Sequence, residues 1–191
     1  MTGLTIGIIG LALTALLCGI GSGLGLKATG KAAAGVLAED PSKFSKVLIL
    51  TLLPATQGLY GFIIALIGAS NLPTVANLQA AGILETATAA QINAQGWYVF
   101  FVCLPMMIGG AVSAFLQGRT SAATIIAVGK KSEVSRAFLF PAMIELYALL
   151  GLVASIILFG NIPVADVVNI TIPASEVVEP AVEALSMLLG A

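Results

Sequence analysis

Glu145 is the residue whose chemistry is easiest to interpret, because it is the only charged side chain within residues 137–165, an otherwise apolar stretch. A carboxylate in such surroundings, with no basic residue beside it, must take up a proton or bind a cation. Acids within membrane-spanning segments usually belong to ion or proton pathways. We therefore interpret Glu145 as an ion-binding group. The alternative is a neutral carboxylic acid that only hydrogen-bonds to a neighbouring helix.

Gln117 is predicted to face Glu145. A turn-forming cluster occupies residues 129–132. If the chain turns at about Lys131, Gln117 lies as far before the turn as Glu145 lies after it. In an antiparallel helix pair, the two side chains then lie at the same depth.

Three more polar residues, Thr56, Gln57 and Tyr60, are predicted to reach the same depth. An internal repeat with a spacing of 90 residues makes Ala55 the equivalent of Glu145, and the three polar residues follow Ala55 closely. Their spacing of three and four positions relative to Tyr60 places them on one helix face. Pro54 breaks one helical hydrogen bond just before them, which can turn a backbone carbonyl toward the site.

One carboxylate, two amide oxygens and a hydroxyl at one depth would form an oxygen cage around a cation. Hard cations prefer oxygen ligands, and a proton alone does not need so many acceptors. The pattern therefore favours a metal ion, with a proton as the alternative. For Thr56, Gln57 or Gln117 taken singly, a hydrogen bond between helices explains the residue equally well.

The elements that must position these residues are membrane-spanning helices. Of the 191 residues, 59% are hydrophobic and 9% are charged, whereas about 25% are charged in ordinary globular domains. The mean hydropathy is +1.08. Four stretches are long enough to cross a bilayer, which takes about 20 apolar residues. They are residues 1–26, 47–70, 96–118 and 137–159, and they predict an all-α integral membrane protein.

Composition also excludes several classes of function. The chain has no histidine and a net charge of −1, so we expect no histidine-based metal or catalytic site and no nucleic-acid partner. Cys18 and Cys103 lie within apolar stretches and lack C-x-x-C spacing. They are predicted to be reduced packing residues.

The charges predict the orientation of the chain in the membrane. All eight basic residues are assigned to two connections: Lys27, Lys31, Lys43 and Lys46 in the first, and Arg119, Lys130, Lys131 and Arg136 in the third. Because positive charge marks the cytoplasmic side, both connections are predicted to lie inside. We therefore expect a multi-pass protein of the cell membrane with both termini outside.

Turn-forming clusters at residues 38–42 and 129–132 divide the chain into two hairpins. If the helices turn there, the first and third helices each run to about 30 residues or more. The predicted units are a first hairpin at 1–70, an outer connection at 71–96, a second hairpin with Glu145 at 97–160, and an outward-facing tail at 161–191. The tail is predicted to end in a short amphipathic helix.

The two hairpins are related as an internal repeat. The constant spacing of 90 residues pairs Gly19 with Gly109, Ala32 and Ala33 with Ala122 and Ala123, Ser42 with Ser132, Lys46 with Arg136, and Gly61 with Gly151. Both hairpins start outside and turn inside, so the repeats are parallel and not inverted.

A glycine run in the first helix predicts close helix packing on two sides. Gly19 and Gly23 share one face, and Gly21 and Gly25 lie nearly opposite. A helix within a ring has two such neighbours, although generic close packing explains the glycines at least as well. Gly23-x-Gly25-x-x-Ala28 also fits a dinucleotide-binding pattern, but that motif must follow a short strand.

Three features closely resemble the rotor-ring proteolipid (the K or c type) of bacterial sodium-transporting V-type ATPases. They are the sequence LLPATQGLYG at 52–61, Gln117 followed closely by a basic residue, and MIELY at 143–147. The resemblance covers residues 3–160. It implies a sodium site formed by Glu145, Gln117, Gln57, Thr56 and the carbonyl of Leu53, with Tyr60 bonded to the glutamate.

The resemblance also implies the function. Many copies would form a ring that carries Na+, or alternatively H+, across the membrane by rotation, together with a membrane stator subunit and central-stalk subunits. The chain itself is expected to be non-catalytic, since it has no G-x-x-x-x-G-K-S/T loop for a nucleotide. A free-standing cation channel or secondary transporter gated by Glu145 is a second hypothesis, and a structural membrane scaffold is a third.

Overall fold

The computed structural model describes residues 2–72, 89–130 and 137–161. Four helical segments in these ranges are long and apolar enough to cross a membrane: Gly3–Glu39, Pro41–Ser70, Asn93–Lys130 and Leu139–Gly160. The predicted all-α membrane class with four crossings is therefore confirmed. The tail from residue 162, most of the outer connection (73–88) and residues 131–136 lie outside the described residues.

The helices differ in length and continuity. In chain order they are α1 (Thr2–Glu39), α2 (Phe44–Leu52), α3 (Thr56–Ser70), α4 (Ala89–Lys130) and α5 (Leu139–Gly160). With 38 and 42 residues, α1 and α4 confirm the prediction that the first and third helices are extended. Helix α4 begins at Ala89, earlier than the predicted 96.

The second crossing is interrupted in its middle. Residues Leu53–Ala55 form a 3-10 turn between α2 and α3, with the buried Pro54 at its centre. Proline supplies no N–H for an α-helical bond, so the chain tightens locally at this point. The prediction of a break at Pro54 is confirmed.

The turn of the first hairpin is held by Asp40. Its carboxylate accepts hydrogen bonds from the Ser42 amide (3.1 Å) and the Ser42 hydroxyl (2.6 Å). The Ser42 hydroxyl bond, with Lys43 at 3.3 Å, lowers the pKa of the Asp40 carboxyl. Lys43 also donates to the carbonyl of Gly129 at 2.6 Å, near the end of α4. The two hairpins are thus tied together at their basic end.

Helices α1 and α4 pack along most of their length. A Cβ added at Gly21 would lie 2.5 Å from the Ala111 carbonyl oxygen, and one at Gly10 would lie 3.0 Å from the Phe100 Cα. Each contact joins positions 90 residues apart, so equivalent parts of the repeat lie level with each other. This geometry supports parallel repeats.

The glycine run has one packed face and one open face. Gly25 meets the backbone of Ala114 and Gly118, whereas a Cβ at Gly19 or Gly23 would meet nothing within 4 Å. One of the two predicted close approaches therefore occurs within the chain. The Gly19 and Gly23 face leaves space for added atoms among the described residues, although Gly58 of α3 lies near Gly19 at its edge.

The interior contains two apolar clusters. One includes Leu11, Cys18, Ile64, Cys103 and Met106, and the other includes Val36, Val47, Leu50, Ile125 and Val128. Both cysteines are buried free thiols, as predicted.

The assignment of all basic residues to connections is wrong. Lys27 and Lys31 lie on α1, and Arg119 lies on α4 only two residues after Gln117. Lysine and arginine are good helix formers, so the two long helices continue through these positions without interruption. All three side chains are exposed.

Candidate ion-binding site

The site is built where the break at Pro54 faces α4 and α5. The 3-10 turn ends at Ala55, and α3 then presents Thr56, Gln57 and Tyr60 on one face. Helix α4 supplies Gln117 and α5 supplies Glu145. Three helices therefore converge on one point, and the predicted side chains come together.

Both carboxylate oxygens of Glu145 accept two hydrogen bonds each. Oε1 accepts from the Thr56 hydroxyl at 2.8 Å and the Tyr60 hydroxyl at 3.0 Å. Oε2 accepts from the Gln57 amide at 3.1 Å and the Gln117 amide at 2.6 Å. All four side chains selected from the sequence therefore contact the carboxylate directly.

The Leu53 carbonyl reaches the site through Thr56. The Thr56 hydroxyl lies 2.9 Å from the Leu53 oxygen and 2.8 Å from Glu145 Oε1. A hydroxyl has one proton, so it serves one of these acceptors at a time. The carbonyl is thus an additional oxygen beside the carboxylate.

The two glutamines form a buried pair. Both are 0% exposed, and the Gln57 amide donates to Gln117 Oε1 at 2.6 Å. Gln117 also donates to the carbonyl of Pro141 at 3.0 Å, a contact that the sequence reasoning missed. The sequence feature that could have indicated this contact is the position of Pro141, which lies one turn before Glu145 on the same helix.

Gln57 Oε1 is buried and has no hydrogen-bond partner among the residues that the structure describes. A buried amide oxygen without a donor is uncommon and costs free energy, so its presence needs an explanation. Gln57 contacts the carboxylate through its amide nitrogen, so its oxygen is an acceptor that this arrangement leaves unused.

No positive side chain neutralises Glu145 within the described ranges. Its four partners are neutral, and no lysine or arginine forms an ion pair with it. Arg119 lies near the same depth, but its guanidinium stacks over Phe115 at 5.6 Å. It is about 200° around the helix from Gln117, so it points away from the site.

The carboxylate lies next to an apolar exposed surface. On α5, the flanking residues Met143, Leu146 and Tyr147 are 61%, 57% and 68% exposed. A charge beside lipid costs several kcal/mol. The surroundings therefore favour a state in which a bound cation or proton neutralises Glu145.

The donor set suits a hard cation of low charge. It consists of one carboxylate with amide, hydroxyl and carbonyl oxygens, and the described residues contain no cluster of three His, Cys, Asp or Glu side chains. Transition-metal sites use nitrogen or sulfur ligands, and calcium sites commonly use several carboxylates.

Comparison with known proteins gives related sequences over both hairpins. Residues 9–68 and 100–158 match the family model that describes the C subunit of ATP synthase. The V-type sodium ATPase subunit K of Enterococcus hirae is 36% identical over 160 residues, which cover 83% of this chain and 93% of that protein. The A-type ATP synthase subunit K of Methanocaldococcus jannaschii is 33% identical over 160 residues, 83% of this chain and 64% of that protein.

Proposed function

The chain belongs to the family of the ATP synthase C subunit, and on this basis we propose that it is a rotor-ring component of a V-type ATPase that carries Na+ across the membrane by rotation. The similarity to a V-type sodium ATPase subunit K supports this assignment. In this proposal, ATP is hydrolysed by partner subunits. This chain is the non-catalytic carrier of the ion.

The surroundings of Glu145 are the observation that carries the proposal. Two hydroxyls and two amides surround a single carboxylate, and Gln57 Oε1 has no partner within the described part of the chain. Rotation of an amide group by 180° exchanges its nitrogen and oxygen positions. The oxygens of Gln57 and Gln117 can therefore turn toward a cation that binds at Glu145.

The charge of the site favours a monovalent ion. One carboxylate neutralises one positive charge, so a complex with Na+ is neutral, whereas a complex with a divalent ion remains charged. A neutral complex can turn past lipid at the exposed face of α5. Bare Glu145 cannot do so at comparable cost, which couples rotation to ion occupancy.

The face of α1 that carries Gly19 and Gly23 allows the chain to assemble into a ring. Gly19 and Gly23 leave room for another helix to approach, on the side opposite the packed α4. A second copy of the chain supplies such a helix, and repetition closes a ring. A membrane stator subunit would load and release the ion, and central-stalk subunits would contact the basic end.

We also propose the orientation given by the charges. The basic end of the hairpins faces the cytoplasm, both termini face outside, and the ring lies in the cell membrane. Lys43, Lys46 and Lys130 lie at or near this end in the described ranges.

A ring of the same type that carries H+ is the alternative. A protonated Glu145 would also be neutral, and Gln57 Oε1 could accept its hydrogen bond. The number of neutral oxygens at the site favours Na+, because a proton needs only one acceptor. A free-standing channel is less consistent with membership of this family.

A carbodiimide labelling experiment tests the ion. The reagent modifies protonated Glu145, so Na+ at fixed pH should slow labelling of the purified ring by displacing the proton. Potassium at equal ionic strength is the control. A labelling rate that depends on pH and not on Na+ would contradict the sodium assignment.

Replacement of the acid provides the matched variant. Glu145→Gln keeps the size of the side chain and is neutral, so the ring should assemble while Na+ binding and transport are lost. Failure of this variant to assemble would instead indicate a structural role for Glu145.

A further inference from the structure

The 3-10 turn at Leu53–Ala55 removes the helical donor from one partly buried backbone carbonyl, that of Thr51. In an α-helix, the Thr51 carbonyl would accept from the N–H of Ala55. In a 3-10 turn each N–H bonds instead three residues back, which gives the Ala55 N–H to Leu52. The break that orients the site therefore deprives Thr51 of its helical partner.

Thr29 on α1 places a hydroxyl donor beside this carbonyl. Its hydroxyl lies 3.1 Å from the Thr51 carbonyl oxygen, and the residue is 0% exposed. The same hydroxyl lies 3.1 Å from Leu26 O and 3.3 Å from Gly25 O, the usual back-bonds of a helical threonine. The contact to Thr51 is the one that crosses to another helix.

Gly25, one turn before Thr29, lets α1 approach the break. A Cβ at Gly25 would lie 2.7 Å from the Pro54 Cβ and 2.7 Å from the Ala114 carbonyl oxygen. Gly25 and Thr29 are four positions apart and share a helix face. One face of α1 thus contacts both the proline and the carbonyl that the break leaves free.

We propose that Thr29 is a positioning residue for the ion site, acting through the Thr51 carbonyl on the break that presents Leu53 and Thr56. Helix α1 supplies none of the side chains that hydrogen-bond to Glu145. It instead fixes the backbone that carries one side of the oxygen cage. This inference rests on the proposed binding of Na+ at Glu145.

The test is Thr29→Val, which keeps the shape and removes the donor. Loss of one hydrogen bond to this partly buried carbonyl should raise the Na+ concentration that half-protects Glu145 from carbodiimide by roughly three- to tenfold. The labelling rate without Na+ should change less than about twofold, because the proton does not need the Leu53 carbonyl. Thr29→Ser keeps the hydroxyl and should restore protection.

Thr14→Val is the matched control. Thr14 lies on the same helix, is also 0% exposed, and bonds to the Gly10 carbonyl at 2.7 Å, remote from the break. The proposal is overturned if Thr29→Val leaves the half-protecting concentration unchanged, or if Thr14→Val raises it equally. If Na+ fails to protect even the unmodified ring, the sodium assignment itself fails.

Discussion

Thr56 offers a sharp test of the oxygen cage, because its hydroxyl touches two other predicted ligands. It lies 2.8 Å from Glu145 Oε1 and 2.9 Å from the Leu53 carbonyl oxygen. Thr56→Val removes the hydroxyl and keeps the branched shape. The variant should therefore bind Na+ more weakly without disturbing the packing of α3.

The size of the effect follows from the loss of one oxygen ligand of the ion. We take the contact between a hydroxyl and Na+ to be worth as much as a hydrogen bond to a charged group, about 1.5–3 kcal/mol, and the partial exposure of Thr56 favours the lower end of that range. A loss of about 1.5 kcal/mol raises the Kd for Na+ roughly tenfold. Titration of the purified ring with Na+, followed by calorimetry or carbodiimide protection, measures this change.

Thr14→Val is the control for this prediction. Thr14 is a buried threonine on α1, and its hydroxyl bonds to the Gly10 carbonyl at 2.7 Å, not to Glu145. The Kd of this variant should stay within about twofold of the parent. A Kd for Thr56→Val that matches the parent, or an equal shift in Thr14→Val, would refute the assignment of Thr56 as a ligand.

Three further predictions concern the site, the helix packing and the turn. Tyr60→Phe removes a 3.0 Å bond to Glu145 and should weaken Na+ binding about three- to tenfold, measured by the same titration; unchanged binding would argue against a role for that hydroxyl. Gly21→Leu forces a side chain against the Ala111 backbone and should destabilise the chain by about 1–3 kcal/mol or more, seen as a lower melting temperature of the ring; an unchanged temperature would contradict the packing. Because the pKa of Asp40 is lowered in the folded chain, its contribution to stability is present at neutral pH and is lost as pH falls through that pKa. Asp40→Ala should therefore lower the melting temperature at neutral pH and not in strong acid, and an equal loss at both pH values would exclude the charge as the cause.

The sequence allowed most of the fold to be predicted, since few residues interrupt the four apolar stretches. At the basic end, the turn-forming clusters predicted the helix ends, and α1 and α4 end at Glu39 and Lys130; the start of α4 at Ala89 was predicted less accurately. The charges of Lys27 and Arg119 suggest that the membrane-spanning parts of α1 and α4 end there. Both residue types have good helix propensity, so the two helices continue past these positions. Charge marks a side of the membrane and does not mark where a helix ends.

The site could be assembled from spacing because the repeat places equivalent residues at one depth. The spacing of 90 residues predicted that Thr56, Gln57 and Glu145 share one site, without any knowledge of side-chain geometry. It could not identify Pro141, whose contribution is a backbone carbonyl, nor Thr29, whose contact with Thr51 depends on how closely α1 approaches. Every residue has a backbone carbonyl, so residue type does not reveal which carbonyl takes part in the site.

The internal repeat predicts how many ions each chain carries. Ala55 occupies the position equivalent to Glu145, so the first hairpin lacks an acid at this depth. It contributes Thr56 and Gln57 to the site of the second hairpin instead. Each chain of four crossings should therefore carry one ion. For a fixed number of ATP molecules per turn, fewer ions leave more free energy for each, which favours pumping.

Counting bound Na+ against chains in the purified ring measures whether each chain holds one ion at Glu145. The parent ring, equilibrated with saturating Na+ and freed of unbound salt, should hold one Na+ per chain, and the Glu145→Gln ring should hold none. Two Na+ per chain would contradict the single shared site. Equal Na+ in the parent and Glu145→Gln rings, or none in the parent, would contradict binding at Glu145.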